Sequence, residues 1–127
     1  MKTIRTEKAP AAIGPYSQAL AAGNMLFTSG QLGLNPDTGT LPAGIEDQAR
    51  QSLENIRAIL EEAGFRKTDV IKTVVYLKNL ADFAVVNGIY AGFFGDHKPA
   101  RSCVEVSRLP KDGLIEIEAV ALRSEQA

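Results

Sequence analysis

Apolar residues recur at two periods along this chain, and the switches between them mark out its elements. Ile45, Ala49, Leu53, Ile56, Leu60 and Ala63 fall three or four residues apart, which predicts a helix with one apolar stripe. Glu46 and Asp47 sit in its first turn, where the helix dipole favours negative charge, and Gly64 is placed to end it in a left-handed turn. A second helix is predicted over 80–94, capped by Asn79 and closed by Gly95, with Leu80, Phe83, Val86, Tyr90 and Phe93 as its stripe. Elsewhere the period is two. Over 70–78, Ile71, Thr73, Val75 and Leu77 alternate with Val70, Lys72, Val74, Tyr76 and Lys78, and both faces are apolar enough to need covering. Strands over 17–22 and 25–29 flank Gly23-Asn24, a two-residue hairpin turn. Residues 3–6 read as an edge strand, 35–44 as a surface loop, and 124–127 as a frayed tail.

The stretch 99–118, PARSCVEVSRLPKDGLIEIE, reads as two strands joined by a tight turn at 109–113. Arg101, Cys103 and Glu105 share one face of the first strand, and Glu116 and Glu118 share one face of the second. If the strands are neighbours, an arginine and a carboxylate stand close, which suits a small anionic ligand with a base beside it. The five-residue connection leaves the register open, and a one-residue slip exchanges the faces.

The predicted order is ββ-α-β-α-ββ, a single α+β domain over 1–127. The simplest arrangement is one mixed sheet with both helices on one face. Val74, Tyr76, Val104 and Val106 then leave the other face too apolar for water, so self-association through it is expected.

Composition narrows the chemistry. The 127 residues are 45 % hydrophobic and 23 % charged, enough for a core without staples. A net charge of −1 offers no field for nucleic acid or anionic lipid. One cysteine, Cys103, and one histidine, His97, cannot make an intramolecular disulfide, a thiolate zinc site or a histidine-rich metal site. The first ten residues lack the apolar run of a signal peptide, and no stretch reaches membrane-spanning length, so a cytoplasmic protein is expected.

Each candidate residue has a plain structural alternative. Arg101 matches a carboxylate with two parallel hydrogen bonds, or is a solvated surface residue. Glu116 or Glu118 holds and activates a water, or the two are exposed on an edge or paired with Arg108, Lys72 or Lys78. Cys103 fits a small buried thiol better than a nucleophile. Tyr16, Ser29, Gly30 and Asn87 line a pocket, with Gly30 supplying a backbone N–H, or serve packing, strand end and helix surface.

Taken in order, AAIGPYSQ at 11–18, FTSGQ at 27–31, QARQSLENI at 48–56, Val86-Asn87, PARSCVEVSRLPKD at 99–112 and IEIEA at 115–119 resemble the RidA/YjgF family of reactive-intermediate deaminases, nearly end to end. The resemblance implies a chorismate-mutase-like fold and a homotrimer whose sheets form a central barrel, with clefts between subunits. It implies hydrolysis of 2-imino acids such as 2-iminobutanoate and 2-iminopropanoate, products of pyridoxal-phosphate enzymes, to 2-oxo acids and ammonia, without a cofactor. It assigns the substrate carboxylate to Arg101, the attacking water to Glu116, backbone contacts to Cys103, and the cleft walls to Tyr16, Ser29, Gly30 and Asn87. The segment 94–99 is shorter than in some members, which leaves the preferred side chain open. Proteins resembling this one are also linked to RNA cleavage, translation inhibition, chaperone-like behaviour and regulator binding, the alternative class of function.

Overall fold

The computed structural model describes residues 1–124; residues 125–127, most of the expected frayed tail, lie outside them. Seven strands form one mixed sheet: β1 (Lys2–Ile4), β2 (Ala19–Ala22), β3 (Met25–Thr28), β4 (Gln31–Leu32), β5 (Val70–Leu77), β6 (Ala100–Glu105) and β7 (Ile115–Leu122). Their order across the sheet is β1-β2-β3-β7-β5-β6, with β4 also pairing β7. Among the described residues only β5 and β6 run parallel. The helices are α1 (Ile45–Ala63) and α2 (Phe83–Phe94).

Local chemistry explains most boundaries. Gly23, at φ 60°, and Asn24 join β2 to β3 with Ala22 opposite Met25, a two-residue hairpin. Gly64 adopts the left-handed conformation and closes α1. Asn79 accepts a hydrogen bond from the Ala81 N–H, capping a short 3-10 turn (Leu80–Asp82) that leads into α2. The stripe of α2 is Val86, Tyr90 and Phe94, one residue every turn. Leu80 and Phe83 are exposed instead: Leu80 lies in the 3-10 turn before the helix, and Phe83 is the first residue of α2.

The core lies between the helices and one sheet face. Val70, Val75, Leu77, Ile115 and Ile117 of the sheet meet Leu53, Ile56, Ile59 and Leu60 of α1, all buried. Each such side chain contributes about 1.5–3 kcal/mol by leaving water. One strand face differs from the sequence pattern. A bulge between Val70 and Lys72 shifts the alternation, so Val70 is buried and Ile71 is exposed.

The larger correction concerns β6 and β7. They are not a hairpin, because β5 lies between them. Helix α2 carries the chain from β5 across to a parallel β6 at the sheet edge, and the connection 106–114 returns past the end of β5 to reach β7. That connection is fastened to β5 on both sides: Val106 N–H donates to Leu77 O at 2.9 Å and Lys78 N–H to Leu114 O at 3.0 Å.

Helix α1 also buries a polar row that its apolar periodicity hides. Gln48, Ser52 and Asn55 follow at helical spacing, beside the stripe, and all are buried. Ser52 Oγ donates to Gln31 O at 2.7 Å, and Asn55 Nδ2 to Leu32 O and Leu34 O at 3.0 and 2.9 Å. Gln48 donates to Pro42 O at 2.8 Å and accepts from Leu114 N–H at 2.9 Å. These bonds hold the segment 31–34 so close to α1 that a Cβ on Gly33 would collide with the Gln48 backbone oxygen. Asn55→Ala strands one buried and one part-buried carbonyl and should destabilise the fold by about 2–4 kcal/mol. Denaturant unfolding checks this through a lower midpoint at an unchanged slope.

Candidate functional site

Two hollows on opposite faces of the sheet hold the candidate residues. The first is built around Arg101. Its partner on β5 is Thr73, which is buried, so Arg101 emerges on the helix side of the sheet. There α2 presents Phe83, Asn87 and Tyr90 at i, i+4 and i+7, one face of a helix. The Arg101 guanidinium carbon stands 4.9 Å from the Tyr90 ring centre and 5.4 Å from that of Phe83. Its Nη1 donates to Asn87 Oδ1 at 2.7 Å. The Tyr90 hydroxyl meets Thr73 Oγ1 at 2.6 Å, and burial raises its pKa above the ordinary tyrosine value, so the ring stays neutral beside the cation. Among the described residues no carboxylate comes within ion-pair distance of Arg101. The guanidinium therefore has N–H groups to spare over a hollow of about 470 Å³, lined by Asn87, Tyr90, Phe94, His97 and Lys98.

Cys103 lies two residues along the same face, half-buried against the core. Burial pushes its thiol up, partly offset by the nearby Arg101 charge. It remains a thiol rather than a nucleophilic thiolate. Among the described residues β6 pairs with β5 alone, so alternate backbone groups of Arg101–Cys103 face outward from the sheet edge.

The second hollow, of about 340 Å³, is built around Glu116, with Tyr16, Gln18, Gly30, Leu34 and Lys111 in its wall. Ile115 and Ile117 point into the core, so alternation sends Glu116 through to the face away from the helices. Its carboxyl group lies over Gly30, where a Cβ would meet Glu116 Cδ at 2.7 Å. Burial, and then the charge of Glu118, raise the Glu116 pKa above the ordinary glutamate value. Glu118 accepts from the Tyr76 hydroxyl at 3.0 Å rather than from Arg108, Lys72 or Lys78.

Gln18 anchors the loop that carries Tyr16. Its side-chain oxygen accepts from Thr6 N–H at 2.7 Å, and its amide donates to Thr6 O and Pro10 O at 3.0 and 2.8 Å. Ser29 Oγ donates to Ser17 O at 2.6 Å, which ties this loop to the strand end beside Gly30.

The structure thus groups Tyr16, Gly30 and Glu116, with Ser29 adjoining, and separately Arg101 and Asn87, with Cys103 adjoining. It does not bring the two groups together within one chain. Arg101 and Glu116 lie on opposite sheet faces with β5 between their strands, contrary to the neighbouring strands read from the sequence. The sequence reading also missed Gln48, Ser52, Asn55 and Gln18, whose buried side chains position the site. Three polar residues at helical spacing beside an apolar stripe were the available signal for the first three.

The face away from the helices is apolar as well. Leu20, Phe27, Leu122 and Val104 are 37, 47, 42 and 44 % exposed there. Among the described residues no helix is long and apolar enough to cross a membrane, and no three His, Cys, Asp or Glu side chains are grouped to hold a metal ion.

Comparison with known proteins is consistent over the whole domain. The family model described as Endoribonuclease L-PSP matches residues 6–123. The 2-iminobutanoate/2-iminopropanoate deaminase of Escherichia coli K12 is 59 % identical over 125 residues, covering 96 % of this chain and 98 % of that protein. The crystal structure of E. coli TdcF with bound serine superposes with a TM-score of 0.95 at 52 % identity, covering 98 % of this chain and all of the other. A protein of Vibrio vulnificus described as a putative translation initiation inhibitor gives a TM-score of 0.95 at 54 % identity, covering 97 % of this chain and all of its own.

Proposed function

Because this chain belongs to the endoribonuclease L-PSP family, the family of RidA and YjgF, we propose that it hydrolyses small 2-imino acids to 2-oxo acids and ammonia, at sites shared between copies of the chain. The observation that carries the reading is an arginine with no carboxylate partner among the described residues, seated among aromatic rings above a hollow. The deaminase name of a relative 59 % identical over nearly the full length supports the reaction type.

Arg101 takes the substrate carboxylate through paired N–H groups, and Asn87 keeps the guanidinium from rotating away. The imine carbon is already electrophilic, so orienting water and substrate accounts for most of the acceleration. Glu116 accepts a proton from water as the oxygen bonds to C2 of the protonated imine, and the C=N electron pair moves onto nitrogen to leave a neutral amine. Glu116 then passes that proton to the amine nitrogen of the carbinolamine. The C–N bond breaks, ammonia leaves, and the hydroxyl proton passes to the Glu116 carboxylate as the 2-oxo group forms; release of that proton to the departing ammonia restores the carboxylate. A carboxyl group whose pKa is raised toward neutrality is suited to both directions of transfer.

One chain offers the cation on one sheet face and the base on the other. We therefore assign each complete site to two neighbouring copies, with the Arg101 hollow of one closed by the Glu116 hollow of the next. A cyclic trimer whose apolar sheet faces line a central barrel satisfies this and covers Leu20, Phe27, Val104 and Leu122. Net charge of −1 supplies no field for a polyanion, which sets RNA cleavage behind the imine reading.

The test couples threonine dehydratase and threonine to semicarbazide, which traps the imine as it forms. The protein should compete and lower semicarbazone formation in proportion to its concentration. An undiminished semicarbazone yield at a large excess of protein would end the proposal. Gly30→Ala sharpens it. The new methyl pushes aside only the end of the Glu116 side chain, so folding should survive, while a carboxylate moved by about 1 Å should lose on the order of a hundredfold in rate.

A further inference from the structure

We propose that Lys98 is a second anion-binding group in the Arg101 hollow, and that it directs the enzyme toward imino acids carrying a second carboxylate. The inference rests on the deaminase reading above and adds the class of side chain.

Lys98, itself exposed, lines the same hollow as Arg101, and no described aspartate or glutamate lines it. Asp96, two residues away, is exposed and forms no part of the wall. No described carboxylate lies within ion-pair distance of Lys98. Two cations facing one cavity repel each other until an anion enters. A monocarboxylate held by Arg101 satisfies one of them. A short dicarboxylate satisfies both, with its second charge on the side-chain end.

The segment that carries Lys98 is held at several points. Gly95 turns at φ 65° and its N–H donates to Ala91 O at 2.8 Å. The backbone N–H of His97 donates to Phe94 O at 3.3 Å, and its ring Nε2 meets Val70 O at 2.6 Å. Pro99 then sets the backbone into β6. An ammonium on an arm fixed at both neighbours loses less freedom on binding than one on a loose loop.

The experiment measures binding of 2-oxoglutarate and of 2-oxobutanoate by calorimetry, alongside hydrolysis of the imines that an amino-acid oxidase makes from glutamate and 2-aminobutanoate. The unmodified protein should bind the dicarboxylate about five- to tenfold more tightly, in keeping with one partly solvated charge-assisted hydrogen bond. That preference should shrink with added salt. In Lys98→Met the ratio should fall to near one, and in Lys98→Glu it should invert. No preference in the unmodified protein, or a ratio unmoved by Lys98→Met, overturns the proposal. The two readings separate cleanly. A Lys98-dependent preference with neither imine hydrolysed keeps the subsite and removes the deaminase. Hydrolysis of both imines with a Lys98-independent ratio does the reverse.

Discussion

Arg101→Ala is expected to abolish competition with semicarbazide while leaving the assembly and its unfolding midpoint close to unchanged. Two charge-assisted hydrogen bonds to a carboxylate contribute about 1.5–3 kcal/mol each. Their loss should lower kcat/KM by roughly 10²–10⁴-fold, at about 1.4 kcal/mol per factor of ten. Little stability should go with it, because Arg101 is half-buried at a sheet edge and its one hydrogen bond among the described side chains is to Asn87. Arg101→Lys should recover only a small part of the activity. An ammonium keeps the charge but lacks the planar fork that meets two oxygens at once. Competition that persists unweakened in Arg101→Ala would take the arginine out of the site, and a dissociated or unfolded variant would mark it as structural.

Glu116→Gln should be comparably severe, by roughly 10²–10⁴-fold, because the amide is nearly isosteric but cannot accept the water's proton. It also tests the sharing of sites. If Arg101 of one copy works with Glu116 of the next, an equal mixture of Arg101→Ala and Glu116→Gln subunits regains intact sites. With random exchange in a cyclic trimer, about a quarter of the interfaces pair an unaltered arginine with an unaltered glutamate, so about a quarter of the activity should return. A site contained within one chain would regain nothing. The pH profile adds a second reading of the same group. In the proposed mechanism Glu116 works as the carboxylate, and burial followed by the Glu118 charge raises its pKa. The rate should therefore rise with pH along a limb displaced above the ordinary glutamate range. Glu118→Gln removes one of the two causes, so it should move that limb toward lower pH.

Chemistry acting over a few residues was legible without the fold. The apolar repeat at 45–63 and Gly64 located α1 from end to end, and Gly23-Asn24 located a hairpin, because helix stripes and turn conformations follow from neighbouring side chains. The motifs around Tyr16, Gly30, Asn87, Arg101 and Glu116 identified the family and supplied the candidate site residues. Their spatial grouping was not legible. Consecutive strands are usually neighbours, and that rule placed β6 beside β7. The helical crossover from β5 set β6 outside β5 instead, and its cause is the burial of Val86, Tyr90 and Phe94 against the sheet, a contact between distant segments. A bulge at Ile71 shifted one strand's faces, again through pairing with a remote partner. Residue identities and local periods thus came from the chain itself. Which face each functional side chain occupies, and hence that the cation and the base stand apart in a single copy, came from long-range strand pairing, which no local spacing encodes.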